Sequence, residues 1–287
     1  MRHWLCVMHE DTSQLVEVAR AAEEVGYHGI AVADHVAVPH DHASAHPGGE
    51  STFTPTTPFP DPFTSIAAMA VATTRLRFLP YVLVLPMRDP FTVAKQAATV
   101  SILSGNRFAL GVGAGWLREE IALLGHDPRT RGSRLDEMLA VMRAFWDDGA
   151  VEWHGRHFDF GPTSMYPQPG AHIPVWVGGR SDVALRRAAR HDGWLGMNYA
   201  VEEIPGLLAR LQEQRRRVLD ERGGDAGPVA FETLVIPQAP PSRALYDDLE
   251  AWGVTSTVVV AWPPGDAAFA SLASKRAAME ACADACF

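Results

Sequence analysis

Residues 107–120, RFALGVGAGWLREE, join an apolar run to a polar segment through glycines at every second position. An apolar run of this length is typical of a buried strand, and the polar segment after it has the composition of a first helical turn. The glycines Gly111, Gly113 and Gly115 indicate that the backbone between them is kept clear of side chains. The stretch therefore predicts a strand, a close backbone passage and a helix, in that order.

The same order of strand and helix recurs along the whole chain. The predicted strands are the apolar runs HWLCVM, HGIAVAD, LRFLPYVLVLP, RFALGVG, IPVWVGG, WLGMN, VAFETLVIP and TSTVVVAW. Each run precedes a segment of helical period, beginning with TSQLVEVARAAEEVG, which Gly26 can end. Valine-rich strands without alternation are buried on both faces, as in parallel sheets.

Eight such units predict an α/β fold of the (β/α)8 TIM-barrel type. Residues 1–287 are expected to form this barrel as a single domain. A doubly wound open sheet is the alternative, because a count of units does not show that the sheet closes.

Two segments interrupt the repeat and are predicted to be insertions after strands 2 and 4. Residues 151–173 begin as an alternating aromatic hairpin around His154 and Gly155 and continue as a proline-rich connection. Residues 36–62 lack an apolar period, and a loop this long in a compact domain is usually functional or disordered. Because it follows the second strand, it leaves the C-terminal face of a barrel, where barrel enzymes build their active sites. We expect it to act as a lid.

Three histidines of the predicted lid, His40, His42 and His46, raise the question of a metal site. Their spacing matches no standard zinc pattern, and no cysteine lies nearby. We therefore expect no metal.

Composition and charge limit the kinds of partner. Of 287 residues, 47% are hydrophobic and 21% are charged, as in an ordinary globular protein. The net charge of −9 repels polyanions, so neither nucleic acid nor an anionic membrane surface is an expected partner. No segment approaches the roughly 18 apolar residues of a membrane span, and three cysteines give no disulfide framework. We expect a cytoplasmic protein that acts on a small molecule.

The glycines of GVGAG do not fit the dinucleotide fingerprint, because GxGxxG requires a further glycine where Trp116 or Arg118 stands. The alternative is that they let a strand end pass close to its neighbours, which requires no ligand.

A better anion site is VGGRSD, which starts at Val177. Gly178 and Gly179 end the fifth strand, Ser181 or the next residue can cap the following helix, and Arg180 adds a cation beside its free N–H groups. The alternative is a capped turn with an exposed arginine. Two arginines of the helix, Arg186 and Arg187, are further candidates for contacts with acidic groups.

Four segments together resemble one family. They are ADH at 33–35, LVLPMRDPFTVAKQAATVSILSGNRFALGVGAGWLREE from 83, RGSRLDEMLAVMRAFW from 131, and PVWVGGRSDVALRRAARHDGW from 174. In order, spacing and strand position they resemble the bacterial luciferase-like flavin and deazaflavin oxidoreductases, and GVGAGWLREE is most similar to the coenzyme F420-dependent branch. The resemblance covers nearly the whole chain.

The resemblance implies a tricyclic ring beside the end of the fourth strand, with room for it at Gly113 and a phosphorylated tail at the turn from Val177 to Ser181. Glu119 stands where relatives often place an asparagine near the cofactor; a solvated first-turn carboxylate is the alternative. The resemblance also implies a cis peptide bond between Tyr81 and Val82 against the back of the ring, although Pro80 departs from the family pattern.

In the deazaflavin-dependent relatives the residue that matches His35 lies near the reacting carbon, where it donates a proton or holds the substrate oxygen. His35 is therefore the first catalytic candidate, with Glu119 as the second and Asp34 as a cofactor-binding residue. The alternative is that Asp34 caps the loop and His35 packs beneath the lid.

The resemblance implies hydride transfer between F420 and a small organic substrate, in a homodimer. An FMN-dependent monooxygenase that uses reduced flavin and O2 is one alternative, and an inactive flavin-binding homologue is another. Met142, Phe145 and Trp146 share one helical stripe, which is interpreted as barrel-facing core more readily than as an interface.

Overall fold

The computed structural model describes residues 1–49, 53–225 and 227–287. Its described residues contain eleven strands: β1 Arg2–Cys6, β2 Gly29–Val32, β3 Arg77–Pro80, β4 Leu83–Val84, β5 Leu110–Gly113, β6 Ala150–His154, β7 Asp159–Ser164, β8 Val175–Gly178, β9 Gly193–Tyr199, β10 Glu232–Pro237 and β11 Ser256–Val259. The helices are α1 Leu15–Val25, α2 Pro62–Val71, α3 Pro90–Leu103, α4 Arg118–Leu123, α5 Arg131–Asp148, α6 Asp182–Ala189, α7 Ile204–Glu221, α8 Arg243–Ala251 and α9 Leu272–Cys286.

Nine strands of the described residues form a parallel sheet in the order β3, β2, β1, β11, β10, β9, β8, β5, β4. β1 pairs with both β2 and β11, so the first and last units of the chain are neighbours. β3 and β4 are two parts of the third predicted strand, and a parallel bridge between Phe78 and Phe108 joins β3 to the residues before β5. The sheet is a nearly closed barrel, which confirms the predicted fold; the open-sheet alternative is wrong.

Local signals in the sequence set the helix ends. Asp61 and Asp89 accept N–H groups of the first turns of α2 and α3, and the prolines that follow them occupy first helical positions, where no N–H is required. Gly26 ends α1 in the left-handed conformation, with φ of 105°. Because the strand pairs of the barrel are parallel, the C-terminal ends of its strands lie at the same edge.

The core has two layers. Inside the barrel, Trp4, Leu79, Trp176 and Leu195 belong to one buried cluster, while outward-facing side chains of the same strands pack against the helices. Residues 142, 145 and 146 of α5 are buried in the outer layer, which confirms the core interpretation of that stripe.

Both insertions lie where the sequence predicts them. β6 and β7 form an antiparallel hairpin between the fourth and fifth barrel strands, and its turn follows His154. The loop before α2, residues 36–61 and hereafter the lid, contains no helix or strand in its described part; residues 50–52 lie outside the described residues, and Pro62, the last residue of the predicted insertion, begins α2. Within the described parts of the chain, no helix has the length and apolar character that crossing a membrane requires.

Candidate active site

The C-terminal ends of the barrel strands bring two histidines together. His9 follows β1, and His35 follows β2. The rings of Phe53 and Phe59 lie against both: each is 4.8 Å from the His35 ring, and they lie 6.2 and 5.2 Å from His9. The Trp116 ring lies 6.0 Å from His35 on the side of β5. The mouth of the barrel is therefore a cluster of aromatic and imidazole rings beneath the lid.

His35 is held by a buried carboxylate. Its Nδ1 lies 2.7 Å from Glu120 Oε2, and the two side chains are 9% and 2% exposed. The other oxygen, Oε1, accepts the backbone N–H groups of Val36 and Ala37 at 2.6 and 3.0 Å. This arrangement places the Nδ1 proton toward Glu120, and Nε2 has no hydrogen-bond partner among the described residues. His35 thus presents one nitrogen to the mouth.

Burial by itself would raise the pKa of Glu120. The hydrogen bond from His35, the positive charge of that ring and the N–H groups of Ala37 and Val36 outweigh it, so the pKa lies below its ordinary value. Glu120 therefore stays ionised at neutral pH and fixes the orientation of His35.

Asp34 is bound to other protein groups. It is 4% exposed; its Oδ1 and Oδ2 accept two N–H groups of Arg88 at 2.7 and 2.8 Å, and Oδ2 also accepts the backbone N–H of Val84 at 2.8 Å. The carboxylate ties the end of β2 to the chain after β4. A direct cofactor contact of Asp34 stays a prediction, and the contacts support a positioning role.

The alternating glycines face the interrupted third strand. A Cβ on Gly111 would lie 2.1 Å from the carbonyl oxygen of Pro80, one on Gly113 2.6 Å from Val82, and one on Gly115 2.5 Å from Val84. Gly111 leaves room for a backbone carbonyl, Gly113 and Gly115 leave room for valine side chains, and Gly115 also has a φ of 81°, which favours glycine. The strand-packing alternative is confirmed, whereas contact of Gly113 with a ring stays a prediction.

The peptide bond between Tyr81 and Val82 is cis, as the family resemblance implies. Val82 packs over Gly113 and also 3.2 Å from the Cβ position of Gly178, so it occupies the floor of the mouth between β5 and β8. Tyr81 extends across the mouth and donates its hydroxyl to the carbonyl of Gly196 on β9. Burial raises the pKa of Tyr81 well above its ordinary value, which keeps the phenol neutral.

Glu119 does not act as a solvated carboxylate. Its Oε1 accepts the backbone N–H groups of Ala43 and Ser44 in the lid at 2.9 and 3.2 Å. The Ser44 hydroxyl is the largest influence that lowers the pKa of Glu119 to about 2, with contributions from these N–H groups. Glu119 therefore fastens the lid, and its contact with a cofactor stays a prediction.

The turn after β8 has the predicted helix cap. The Ser181 side chain accepts the N–H of Ala184, and Gly179 has φ of 128°. Arg180 lies over the Tyr199 ring at 5.3 Å and donates to Glu203 at 3.2 Å, so its cation is turned toward those groups. The other two N–H groups of the first turn of α6, those of Asp182 and Val183, have no acceptor among the described residues and remain available to an anion.

Three further candidates from the sequence have side chains that contact other parts of the protein. The side chain of Val177 lies in the layer between barrel and helices, so only its backbone borders the turn. Arg187 is 8% exposed and pairs with Asp136 at 2.5 Å, which contradicts its proposed availability to a ligand. Arg186 donates to Gln214 at 3.3 Å.

The comparisons with known proteins agree with this architecture. The family described as luciferase-like monooxygenase matches residues 3–269. The chain belongs to this family. An uncharacterised protein of Mycobacterium tuberculosis is 38% identical over 252 residues, covering 87% of this chain and 85% of that protein.

Two solved luciferase-like structures have the same fold. The monooxygenase RslO1 from Streptomyces bottropensis has a TM-score of 0.76 at 18% identity and covers 99% of this chain and 98% of its own. The coenzyme F420-dependent tetrahydromethanopterin reductase from Methanopyrus kandleri has a TM-score of 0.72 at 14% identity, with the same coverage of 99% and 98%. Members of the luciferase-like family are oxidoreductases, and these neighbours include an F420-dependent enzyme and a monooxygenase.

The described residues fit the flavin-type cofactors of luciferase-like enzymes. Three polar atoms at the C-terminal face, His9 Nε2, Glu119 Oε2 and the Tyr199 hydroxyl, are buried and have no hydrogen-bond partner in the described part of the chain. Such atoms are costly unless a ligand or water satisfies them. A ring with polar edges and an anionic tail offers partners to them and to the free N–H groups of α6.

Two residues of this luciferase-like site lie outside the sequence predictions. Glu120 follows Glu119 in the same REE triplet, and only the helix geometry of α4 shows which carboxylate reaches His35. His9 has φ of 61°, which is rare for a residue other than glycine. The sequence indicates His9 only through its position, because it follows the first predicted strand as His35 follows the second.

Proposed function

We propose that this protein is an F420-dependent oxidoreductase that reduces a carbonyl or other unsaturated group of a small organic molecule. The observation that carries the proposal is the buried pair of His35 and Glu120 at the barrel mouth, 2.7 Å apart, with Nε2 of His35 left for a substrate. A histidine whose tautomer is fixed by a carboxylate is a common arrangement for general acid–base catalysis.

Three parts of the chain are suited to hold the cofactor. Val82, which lies between Gly113 of β5 and Gly178 of β8, forms the floor for a ring. The N-terminus of α6 offers N–H groups to a phosphate. Tyr199 offers a buried hydroxyl without a partner. When bound, reduced F420 supplies a hydride and reacts poorly with oxygen.

His35 has a defined task in this reaction. Reduction of a carbonyl adds a hydride to carbon and a proton to oxygen, and Nε2 of the protonated His35 supplies the proton. Glu120 stabilises the imidazolium before transfer and keeps the Nδ1 proton in place afterwards.

An FMN-dependent monooxygenase is the second candidate. The matched family is described as luciferase-like monooxygenase, and RslO1 is a monooxygenase with the same fold. In that reaction the same floor and the same α6 terminus would hold FMN, whose ring has a nitrogen, N5, where the deazaflavin ring has carbon.

A binding experiment separates the two candidates. Purified protein is titrated with F420 and, in parallel, with FMN, and the fluorescence of each ring is followed. We expect F420 to bind with a micromolar dissociation constant and FMN at least tenfold more weakly. Micromolar binding of FMN alone would overturn the choice of F420.

A substitution tests the role of His35. His35→Ala is expected to lower kcat for substrate reduction by roughly 100-fold or more, the usual contribution of a general acid, with cofactor affinity nearly unchanged. Glu120→Gln keeps an acceptor for the Val36 N–H but loses the charge, so kcat should fall by a smaller factor. His154→Ala, on the exposed hairpin, is the control. Full activity of His35→Ala would remove His35 from the mechanism.

A further inference from the structure

A second pocket lies beside the mouth, between the lid and the start of α4. It has a volume of about 470 Å³ and is lined by Ser44 and its neighbours in the lid and by Trp116, Arg118, Glu119 and Arg131. This volume lies within the range of small-molecule sites, roughly 300–1,000 Å³. The pocket is open to solvent, so a ligand can enter without a change in the barrel.

Two guanidinium groups border this pocket, and neither has a carboxylate partner among the described residues. Arg131 donates Nε to the carbonyl of Gly115 and Nη1 to that of Pro128, which fixes its position. Arg118 is exposed, and among the described residues its side chain makes no hydrogen bond or ion pair. Burial and the nearby charge of Arg118 lower the pKa of Arg131. The two cations therefore repel one another, and an anion between them would relieve the repulsion.

The one carboxylate among the described lining residues of the pocket, Glu119, forms no ion pair with either arginine. Its Oε1 is occupied by the N–H groups of Ala43 and Ser44. The chain has a net charge of −9, so two arginines without an ion-pair partner among the described residues make this pocket a locally positive site. Such a site favours an anionic ligand.

Trp116 connects this pocket to the proposed catalytic residue. Its indole lines the pocket, and the same ring lies 6.0 Å from the His35 ring. A flat molecule against the indole can therefore place one end between the arginines and the other toward His35. Aromatic faces favour stacking with planar ligands, and guanidinium groups bind carboxylates through paired hydrogen bonds.

We propose that the pocket binds the carboxylate of a planar, unsaturated or aromatic carboxylic acid, which is the substrate class of the neighbouring site. The substrate assignment rests on the proposed function, whereas carboxylate binding by the pocket is independent of any cofactor. Arg118 and Arg131 hold the carboxylate, Trp116 supports the plane of the molecule, and the reducible bond extends toward His35.

The test uses ligand-free protein and two probes of the same shape, benzoate and benzamide. Binding is followed by the indole N–H signal of Trp116, assigned through Trp116→Phe, and by calorimetry. We expect benzoate to bind at least fivefold more tightly than benzamide, with an affinity that falls as salt is added. Arg118→Gln should abolish the preference, Arg118→Lys should retain part of it, and Arg129→Gln, at an exposed arginine paired with Asp127, should leave it unchanged.

Two results would overturn the proposal. One is equal affinity for benzoate and benzamide, or a preference that persists in Arg118→Gln. The other is competition of inorganic phosphate with benzoate together with weaker F420 binding by Arg118→Gln, which would assign the pair to the phosphate of the cofactor. Both outcomes are read from ligand binding and require no turnover. A failure of carboxylate binding is therefore distinguishable from a failure of the proposed function, which is tested by F420 binding to the unmodified protein and by the activity of His35→Ala.

Discussion

Val82 fills the space that two missing side chains leave at the barrel mouth. A Cβ on Gly113 would approach it to 2.6 Å and one on Gly178 to 3.2 Å. Neither glycine has a positive φ, so the reason for glycine at both positions is space and not backbone conformation. The shape of the floor on which a ring would lie is therefore set by these three residues.

Gly113→Ala is expected to lower the free energy of unfolding by about 1–3 kcal/mol, because the new methyl group forces Val82 to move in a packed site. Gly178→Ala should cost less, since its neighbour has to yield only a few tenths of an ångström. Urea unfolding followed by circular dichroism gives both values. Gly161→Ala, with open space at its Cβ, is the control.

A double substitution shows whether Val82 is the cause. In Gly113→Ala with Val82→Ala the new methyl group occupies space that the valine leaves, so the combined loss should be smaller than the sum of the two single losses. Additive losses would mean that another contact of Gly113 is responsible.

Contacts between individual side chains are the part of the structure that the sequence predicts least. The patterns at His35 and at the Ser181 cap are visible in the chain, because each follows a predicted strand. The pairing of His35 with Glu120, 85 residues later, and of Arg187 with Asp136, 51 residues earlier, depends on how α4 and α5 lie against their neighbours. No periodicity in the sequence contains that information.

At the scale of elements, α4 holds the lid through two adjacent glutamates. Glu120 accepts the N–H groups of the first lid residues, and Glu119 accepts those of Ala43 and Ser44. The lid is thus bound at two points by the first turn of one short helix. The segment from β5 to α4 carries both the glycines that fit the third strand and the carboxylates that position the lid.

A third carboxylate, that of Asp34, holds the end of β2 through Arg88 and the backbone of Val84. The Asp34 side chain is fully buried and that of Arg88 is 15% exposed. Removal of one partner of a buried ion pair leaves an uncompensated charge and typically costs 3–5 kcal/mol.

Asp34→Ala is therefore expected to lower the free energy of unfolding by about 3–5 kcal/mol, and Asp34→Ala with Arg88→Ala by less than the sum of the two single changes. Denaturant unfolding of the four proteins of the cycle provides the measurement. If Asp34→Ala instead weakens cofactor binding and leaves stability unchanged, Asp34 is a cofactor ligand, as the family resemblance implies.

Strand and helix order is the part of the fold that the sequence predicts well. Apolar runs without alternation identify each barrel strand, and Asp, Ser and Gly at element ends identify most helix boundaries. The break of the third strand into β3 and β4 is not visible in LRFLPYVLVLP, which has the composition of one continuous strand. The break depends on contacts with β5, which lies about 30 residues later in the sequence.

At the scale of the whole molecule, three histidines outside the proposed site couple stability to pH. Burial, the largest cause in each case, lowers the pKa of His3, His28 and His191 to about 4. The unfolded chain takes up protons at these positions below about pH 6.5, whereas the folded protein does so only near pH 4. Folding is therefore disfavoured as the pH falls through this window.

The free energy of unfolding is expected to decrease between pH 6.5 and 4, and each of these three histidines contributes one proton taken up on unfolding and about 1.4 kcal/mol per pH unit. Urea unfolding at a series of pH values measures the slope. His28→Gln should reduce the uptake by one proton, and His40→Gln, in the exposed lid, should leave it unchanged. A flat profile over this range would contradict the assignment of neutral buried histidines.

The proposed function requires a redox ring at the barrel mouth, and a crystal structure with F420 would locate that ring. We predict the ring over Val82, its reacting carbon toward His35 Nε2, its phosphate at the N-terminus of α6, and Phe53 and Phe59 displaced from His35 to admit it. Density for F420 elsewhere, with both phenylalanines still packed on His35, would contradict the account.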